Sequence, residues 1–317
     1  MSDLAHAAAL AVDCLGVRAG ERVAVISNPA QERIATALAG ATRDRGAEVE
    51  STVFAPLSRN GVEPPEPVAA AMAGADAVLI ATSTSLSHTR ARRAASERGA
   101  RVASLPTVTE EVFARAVPVD YARMSAAGAE LARRLTAAST CRLTSPLGTD
   151  LVLSLDGRIG RNDDGDLRAP GAFGNLPAGE GYIAPREDAG TGTLVVDGSL
   201  AGWGLLEESL ELRLENGAVR SASGAAGEWL LETLDAGGPE GRLVAELGIG
   251  TNPAAQLCGV VLEDEKICGS AHVAFGSSAG IGGTVQTSVH IDAVLLAPRV
   301  EIDGVVVADG GRLLVGP

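Results

Sequence analysis

Two textures along one chain predict an α/β protein: an N-terminal doubly wound parallel-sheet domain followed by a mainly antiparallel, β-rich (α+β) domain. From residue 22 short β-branched runs alternate with alanine-rich helical stretches, the pattern of a parallel sheet with helices on its faces. After Cys141 the runs become Gly-punctuated and alternate with period two, as antiparallel strands do. The 317 residues leave room for two modest domains. The boundary is expected near residue 140, giving a Rossmann-like domain over 1–140 and a β-rich domain over 141–317.

The opening segment MSDLAHAAALAVDCLG reads as an amphipathic helix, because Asp3 and Asp13 flank its short apolar run and no basic leader precedes it. RVAVIS (22–27) is the first expected strand. Pro29 then opens a helix to about Asp44, since proline's missing N–H costs little in the first turn. Strands follow at 47–54, 76–82 and 101–104, with helices at 67–73 and 89–98. DAVLIAT (76–82) has the continuous apolar run of a strand buried on both faces. A helix over about 120–138 bridges the halves. Beyond it, LVLSLDGR, GTLVVDGSL, ELRLENGAV, RLVAELGIG, HVAFG, VHIDAVLL and VEIDGVVV supply the antiparallel strands. Asp156-Gly157, Asn216-Gly217 and Asp303-Gly304 are hairpin-turn signals.

Charge narrows the function. The net charge is −14, with 26 basic residues that are all arginine except Lys266. Such a surface repels duplex nucleic acid and anionic membranes, so neither is expected as a partner. Residues 1–145 carry 16 basic and 15 acidic groups and residues 146–317 carry 10 and 25, so the excess acidity is C-terminal. A small-molecule or short-peptide substrate fits better. No stretch has the ~18 uninterrupted apolar residues of a membrane span. Cys14, Cys141, Cys258 and Cys268 show no CxxC spacing and are expected to be free thiols in a cytoplasmic protein. The α/β half lacks GxGxxG and GxxxxGK[ST], which leaves nucleotide binding with little support. Its most polar turn, TSTSLSHT (82–89), has hydroxyls and N–H groups that suit an anion, but capping of the next helix by Ser87 or Thr89 is the stronger reading. His88 in that turn is expected at the surface.

The acidic half holds the chemistry-bearing residues. His290 and Asp292 lie two apart in an expected strand and therefore project from one face, where an imidazole and a carboxylate can share a metal ion. His272, in another expected strand, completes the smallest set that holds a transition metal with open positions. Glu180 lies in NLPAGEGYIAP, aimed by a Pro- and Gly-fixed loop. Glu246 lies in an otherwise apolar strand, where a buried glutamate needs a partner and a metal is one; an edge position in water is the even alternative. Glu263, Asp264 and Glu265 read as a solvated turn, from which one side chain could approach the site.

NLPAGEGYIAP (175–185), ELGIGTNP (246–253), LEDEKICGSAHVAFG (262–276) and SVHIDAV (288–294), with TSTSLSHTRAR (82–92), resemble the aminopeptidase T type (leucyl aminopeptidase-like) metallopeptidases. The resemblance implies a metal-binding catalytic domain at 141–317, metal ligands at Glu180, Glu246, His272, His290 and Asp292, two divalent ions (Co, Zn or Mn) and a homodimer. It implies a hydrolase in which metal-activated water attacks an amide. In such a scheme a weakly bound or neighbouring carboxylate accepts the water's proton, and Glu246 is the residue we assign to that step. One departure is Ala279, which stands where the peptidases carry a tyrosine. The same superfamily includes dioxygenases similar to 2,5-dihydroxypyridine 5,6-dioxygenase, which implies the alternative: one Fe(II) held by His272, His290 and Asp292, and ring cleavage.

Overall fold

The computed structural model describes residues 3–316 and divides into two compact units. Among the described residues, unit 1 comprises 3–119 and 165–178 and unit 2 comprises 120–164 and 179–316. The sequence places the change of texture at 140, and the structure differs for two reasons. The helix Tyr121–Ala137 packs on the strands Glu180–Ile183 and Arg161–Asp163 and so belongs to unit 2. The chain also returns to unit 1 to add a strand.

That strand completes a five-stranded parallel sheet in unit 1, in the order Glu48–Val53, Arg22–Ser27, Ala77–Thr82, Arg101–Pro106, Phe173–Asn175. The four expected strands and their helices form. The fifth has three residues, Phe-Gly-Asn, with no β-branched run to announce it. Period-two burial sends Ala24, Ile26, Val78, Ile80 and Val102 to one face, against Val68, Ala71 and Met72 of the helix Glu66–Gly74 and Ala95 of the helix Arg90–Glu97. The helices Asp3–Cys14, Glu32–Asp44 and Glu110–Ala116 pack on one another. Thr89, not Ser87, caps the helix Arg90–Glu97: its hydroxyl accepts the Arg92 N–H at 3.2 Å.

Unit 2 is built from two antiparallel sheets. The eight-stranded sheet runs Ala218–Ala222, Leu210–Glu215, Gly190–Val196, Asp150–Ser154, Thr140–Thr144, Arg299–Ile302, Val305–Asp309, Arg312–Leu313. The seven-stranded sheet runs Gly204–Leu205, Ser199–Leu200, His290–Leu295, Ala271–Gly276, Val244–Gly250, Glu180–Ile183, Arg161–Asp163. One apolar core joins residues of both, including Leu143, Leu151, Leu194 and Leu212 from the first and Leu247, Val273, Phe275 and Ala293 from the second. Asn216-Gly217 and Asp303-Gly304 make two-residue hairpins, each with positive φ at both positions, the turn that matches strand twist. Asp156-Gly157 does not; the chain there leaves the eight-stranded sheet for the edge of the other. The four cysteines are free, and no helix among the described residues is long and apolar enough to cross a membrane.

Gly181 is where the helix Tyr121–Ala137 meets the seven-stranded sheet, because a Cβ there would stand 2.5 Å from Leu131 Cβ. Gly181→Ala is expected to cost about 1–3 kcal/mol by overpacking, read as a lower denaturation midpoint at unchanged slope.

Candidate metal centre

Register places the acidic and imidazole side chains on one face of the seven-stranded sheet. His272 pairs with Gly248 and Val294, Ala274 with Glu246 and Asp292, and Gly276 with His290. On the other side Gly250 pairs with Glu180, and Glu180 with Asp163. Alternation along each strand therefore gathers Glu180, Glu246, His272, His290 and Asp292 on a common face. Small residues between them supply the room. A Cβ on Gly248 would lie 2.0 Å from His272 Cε1, so the imidazole lies over the Gly248 backbone.

The five side chains predicted from sequence converge. Glu246 lies between the imidazoles: its Oε1 is 3.6 Å from His272 Nε2 and its Oε2 is 3.3 Å from His290 Nε2. Asp292 Oδ1 is 3.3 Å from His290 Nε2, and Glu180 Oε2 is 3.4 Å from His272 Nε2. His290 Nδ1 lies 2.8 Å from the Ser277 carbonyl, which only accepts, so Nδ1 carries the proton and Nε2 is presented to the carboxylates. Ser277 begins a loop held by buried Glu187, which accepts hydrogen bonds from the Ser278 hydroxyl and Thr284 N–H, each at 2.6 Å, and pairs with Arg158. Ala279 lies in this loop, exposed, in a short 3-10 turn.

Three groups of ligand atoms lie mutually within 4.8 Å: Glu180, Glu246 and His272; Glu246, His290 and Asp292; Glu265, His272 and Asp292. None of the three contains both imidazoles. Two observations test whether the set suits a cation. Glu180 Oε2 and His272 Nδ1 are buried without a hydrogen-bond partner, although buried polar atoms are nearly always paired. The nitrogen-to-oxygen separations also exceed those of charge-assisted hydrogen bonds. They approach the ~3.0–3.4 Å between two donors that each lie about 2.0–2.2 Å from one metal. Carboxylate and imidazole donors together fit a divalent transition metal.

The places of Lys266 and Asp163 at the site were not apparent from sequence. Lys266 is 1% exposed, with Nζ 2.5 Å from Glu180 Oε1, 3.0 Å from Glu265 Oε1 and 3.3 Å from Asp163 Oδ2. The expected solvated turn at 263–265 is instead buried. Glu263 accepts the Gln256 N–H, and Asp264 accepts the Cys258 and Gly259 N–H groups and the Ser199 hydroxyl, which ties the loop 256–259 down. Glu265 turns toward His272 and Asp292. Glu246 is buried on a central strand, not at a wet edge.

Electrostatics follow from burial against pairing. Burial drives the Glu180 carboxyl up to about 7 although Lys266 and His272 oppose it, and likewise raises Asp163 to about 7 against Lys266. Burial also acts to raise Glu246 and Asp292, but the imidazoles outweigh it and hold both low. His272 loses hydration on burial, yet the adjacent Glu246, Glu180 and Glu265 carboxylates raise it to about 9.

In the metal-free protein, the stability that His272 contributes through its raised value is fully present below about pH 6.5 and lost as pH rises through about 9. A metal needs the neutral ring, so apparent metal affinity should rise over that window, by up to about tenfold per pH unit for each proton displaced. Melting temperatures and metal titrations across pH 6–9 check both directions; an affinity that falls with pH contradicts the assignment. Gly248→Ala should displace the His272 ring and reduce metal content, measured by mass spectrometry.

The family model for 2,5-dihydroxypyridine 5,6-dioxygenase matches residues 4–315. The fold is similar to that of 2,5-dihydroxypyridine dioxygenase from Pseudomonas putida KT2440, with TM-score 0.83 and 20% identity over 99% of this chain and 98% of that one. It is also similar to AmpT from Thermus thermophilus, with TM-score 0.75 and 21% identity over 99% of each chain. No curated protein matches significantly. The chain is a metalloenzyme and belongs to the 2,5-dihydroxypyridine 5,6-dioxygenase family.

Proposed function

We propose that the protein is a ring-cleaving dioxygenase of the dihydroxypyridine type, with one ferrous ion held by His272, His290 and Asp292; Asp292 belongs to one compact group with each imidazole, so an ion drawing both rings toward it joins those two groups. The observation that carries this reading is the family match over residues 4–315. Ala279 supports it: a phenol able to donate to a developing oxyanion, which the resemblance to the peptidases predicts at that position, is absent from the chain there. When bound, ferrous iron supplies one-electron chemistry with dioxygen and open positions for a chelating, electron-rich aromatic diol.

The chain's own groups prepare that chemistry. The Ser277 carbonyl fixes the His290 tautomer so that Nε2 faces the cluster. Glu246, ionised between the imidazoles, orients both rings. Glu180, raised to about 7, has its Oε2 buried and unpartnered, so that oxygen is suited to take a proton from a substrate hydroxyl near neutral pH and return it later. Glu246 is the poorer base, since its carboxyl is held low.

A two-metal hydrolase is the second reading, favoured by one observation: six ligand-grade side chains are more than one iron needs. Metal analysis of anaerobically purified protein decides between them. One iron per chain, with oxygen consumed on adding a dihydroxypyridine, is the expected result. Two zinc, cobalt or manganese ions with amide hydrolysis would falsify the dioxygenase reading. His290→Ala should lose at least a hundredfold in activity and most of the bound metal.

A further inference from the structure

Lys266 is the chain's one lysine, and its ammonium is buried among three carboxylates beside the metal-ligand cluster. Burial of this kind is costly unless the charge has a place in the design, because several neighbouring carboxylates lose hydration as well. The partners settle where that charge acts. Of the three compact ligand groups, one uses Glu180 and another Glu265, and both of these share His272. Lys266 holds one oxygen of each of those two carboxylates, at 2.5 and 3.0 Å. The remaining group, Glu246, His290 and Asp292, includes no carboxylate that Lys266 touches.

We propose that Lys266 is a positioning residue that stands in for a second metal ion, its ammonium supplying the positive charge at the Glu180 and Glu265 end of the cluster so that the site takes one divalent cation. The inference rests on the one-metal reading above. Its physical basis is competition for the same electrons. A second cation at that end needs oxygen lone pairs from Glu180 or Glu265, and would sit within a few ångströms of a fixed positive charge. At that distance like charges in a poorly hydrated site repel by far more than in water. The ammonium also fixes which oxygen of Glu180 is spent: Oε1 goes to Lys266, leaving Oε2 toward His272. Lysine suits the position where arginine does not, since a compact ammonium has three donors for Asp163, Glu180 and Glu265, whereas a planar guanidinium presents a fork.

The test counts manganese(II), by mass spectrometry after gel filtration and by electron paramagnetic resonance. Wild type should hold one ion per chain with the spectrum of an isolated centre. Lys266→Met should hold two, with the spin-coupled signal of a pair. Because that variant leaves three buried carboxylates short of a cation, Lys266→Met/Asp163→Asn is measured beside it, with one carboxylate neutralised. Both should recover melting temperature on adding manganese. One ion in the variants, or failure to fold with manganese in excess, overturns the proposal. The ferrous reading fails separately: one manganese in wild type and two in the variant, without oxygen consumption by the iron-loaded wild type, removes the dioxygenase and leaves the role of Lys266 intact.

Discussion

Unit 2 depends on compensating carboxylates that its own sheet buries. Asp163, Glu180, Glu246, Glu265 and Asp292 are gathered at one face of the seven-stranded sheet, all of them at most about an eighth exposed at the side chain. Each would cost several kcal/mol if left ionised and unpaired. Lys266 meets the demand at one end and the two imidazoles meet it at the other, but only while protonated. A metal bound there would do the same work for neutral imidazoles. On the proposed reading the cluster is balanced in two alternative ways, by protons or by a metal, and the choice couples metal binding to pH.

That balance requires backbone more than side-chain chemistry. Antiparallel register brings residues from four adjacent strands onto one face, and Gly248 leaves the volume that the His272 imidazole occupies, while Gly250 lets the backbone of Lys266 and Ile267 approach. Gly276 adopts φ +107°, and a Cβ there would lie 2.3 Å from the Val289 carbonyl, so the strand closes tightly just before the loop that orients His290. Glu187, on a separate segment, then holds the loop by accepting from Ser278 and Thr284. The site is thus fixed by main-chain approach and by a carboxylate that belongs to no ligand group.

Much of this was legible in sequence because it follows period two. His290 and Asp292 declare a shared face by their spacing, and the motifs around Glu180, Glu246 and His272 bring the rest. What was not legible depends on contacts between segments far apart. The strand Phe173–Asn175 has no local signature and forms because Val102 and Ser104 offer it an edge. Glu263, Asp264 and Glu265 look like a solvated acidic turn by composition, but neighbouring N–H groups and Lys266 give them buried partners. The helix Tyr121–Ala137 was expected as a bridge because helical periodicity fixes its apolar stripe and not the sheet that receives it.

Lys266 was visible from the outset as the exception among arginines, and the fold gives that exception a cause. At exposed positions arginine pairs as Arg142 does with Asp150 and Arg242 with Asp235, where a planar fork meets one carboxylate. Inside the cluster three carboxylates approach from three elements: the edge strand at Asp163, its neighbour at Glu180 and the turn at Glu265. A point charge with rotatable donors can answer three directions, and a planar one is poorly shaped to do so. The C-terminal excess of acid has the same explanation in part. Most of those carboxylates are ordinary surface, but a few are concentrated where the sheet removes them from water, and there the composition of the chain becomes the chemistry of the site.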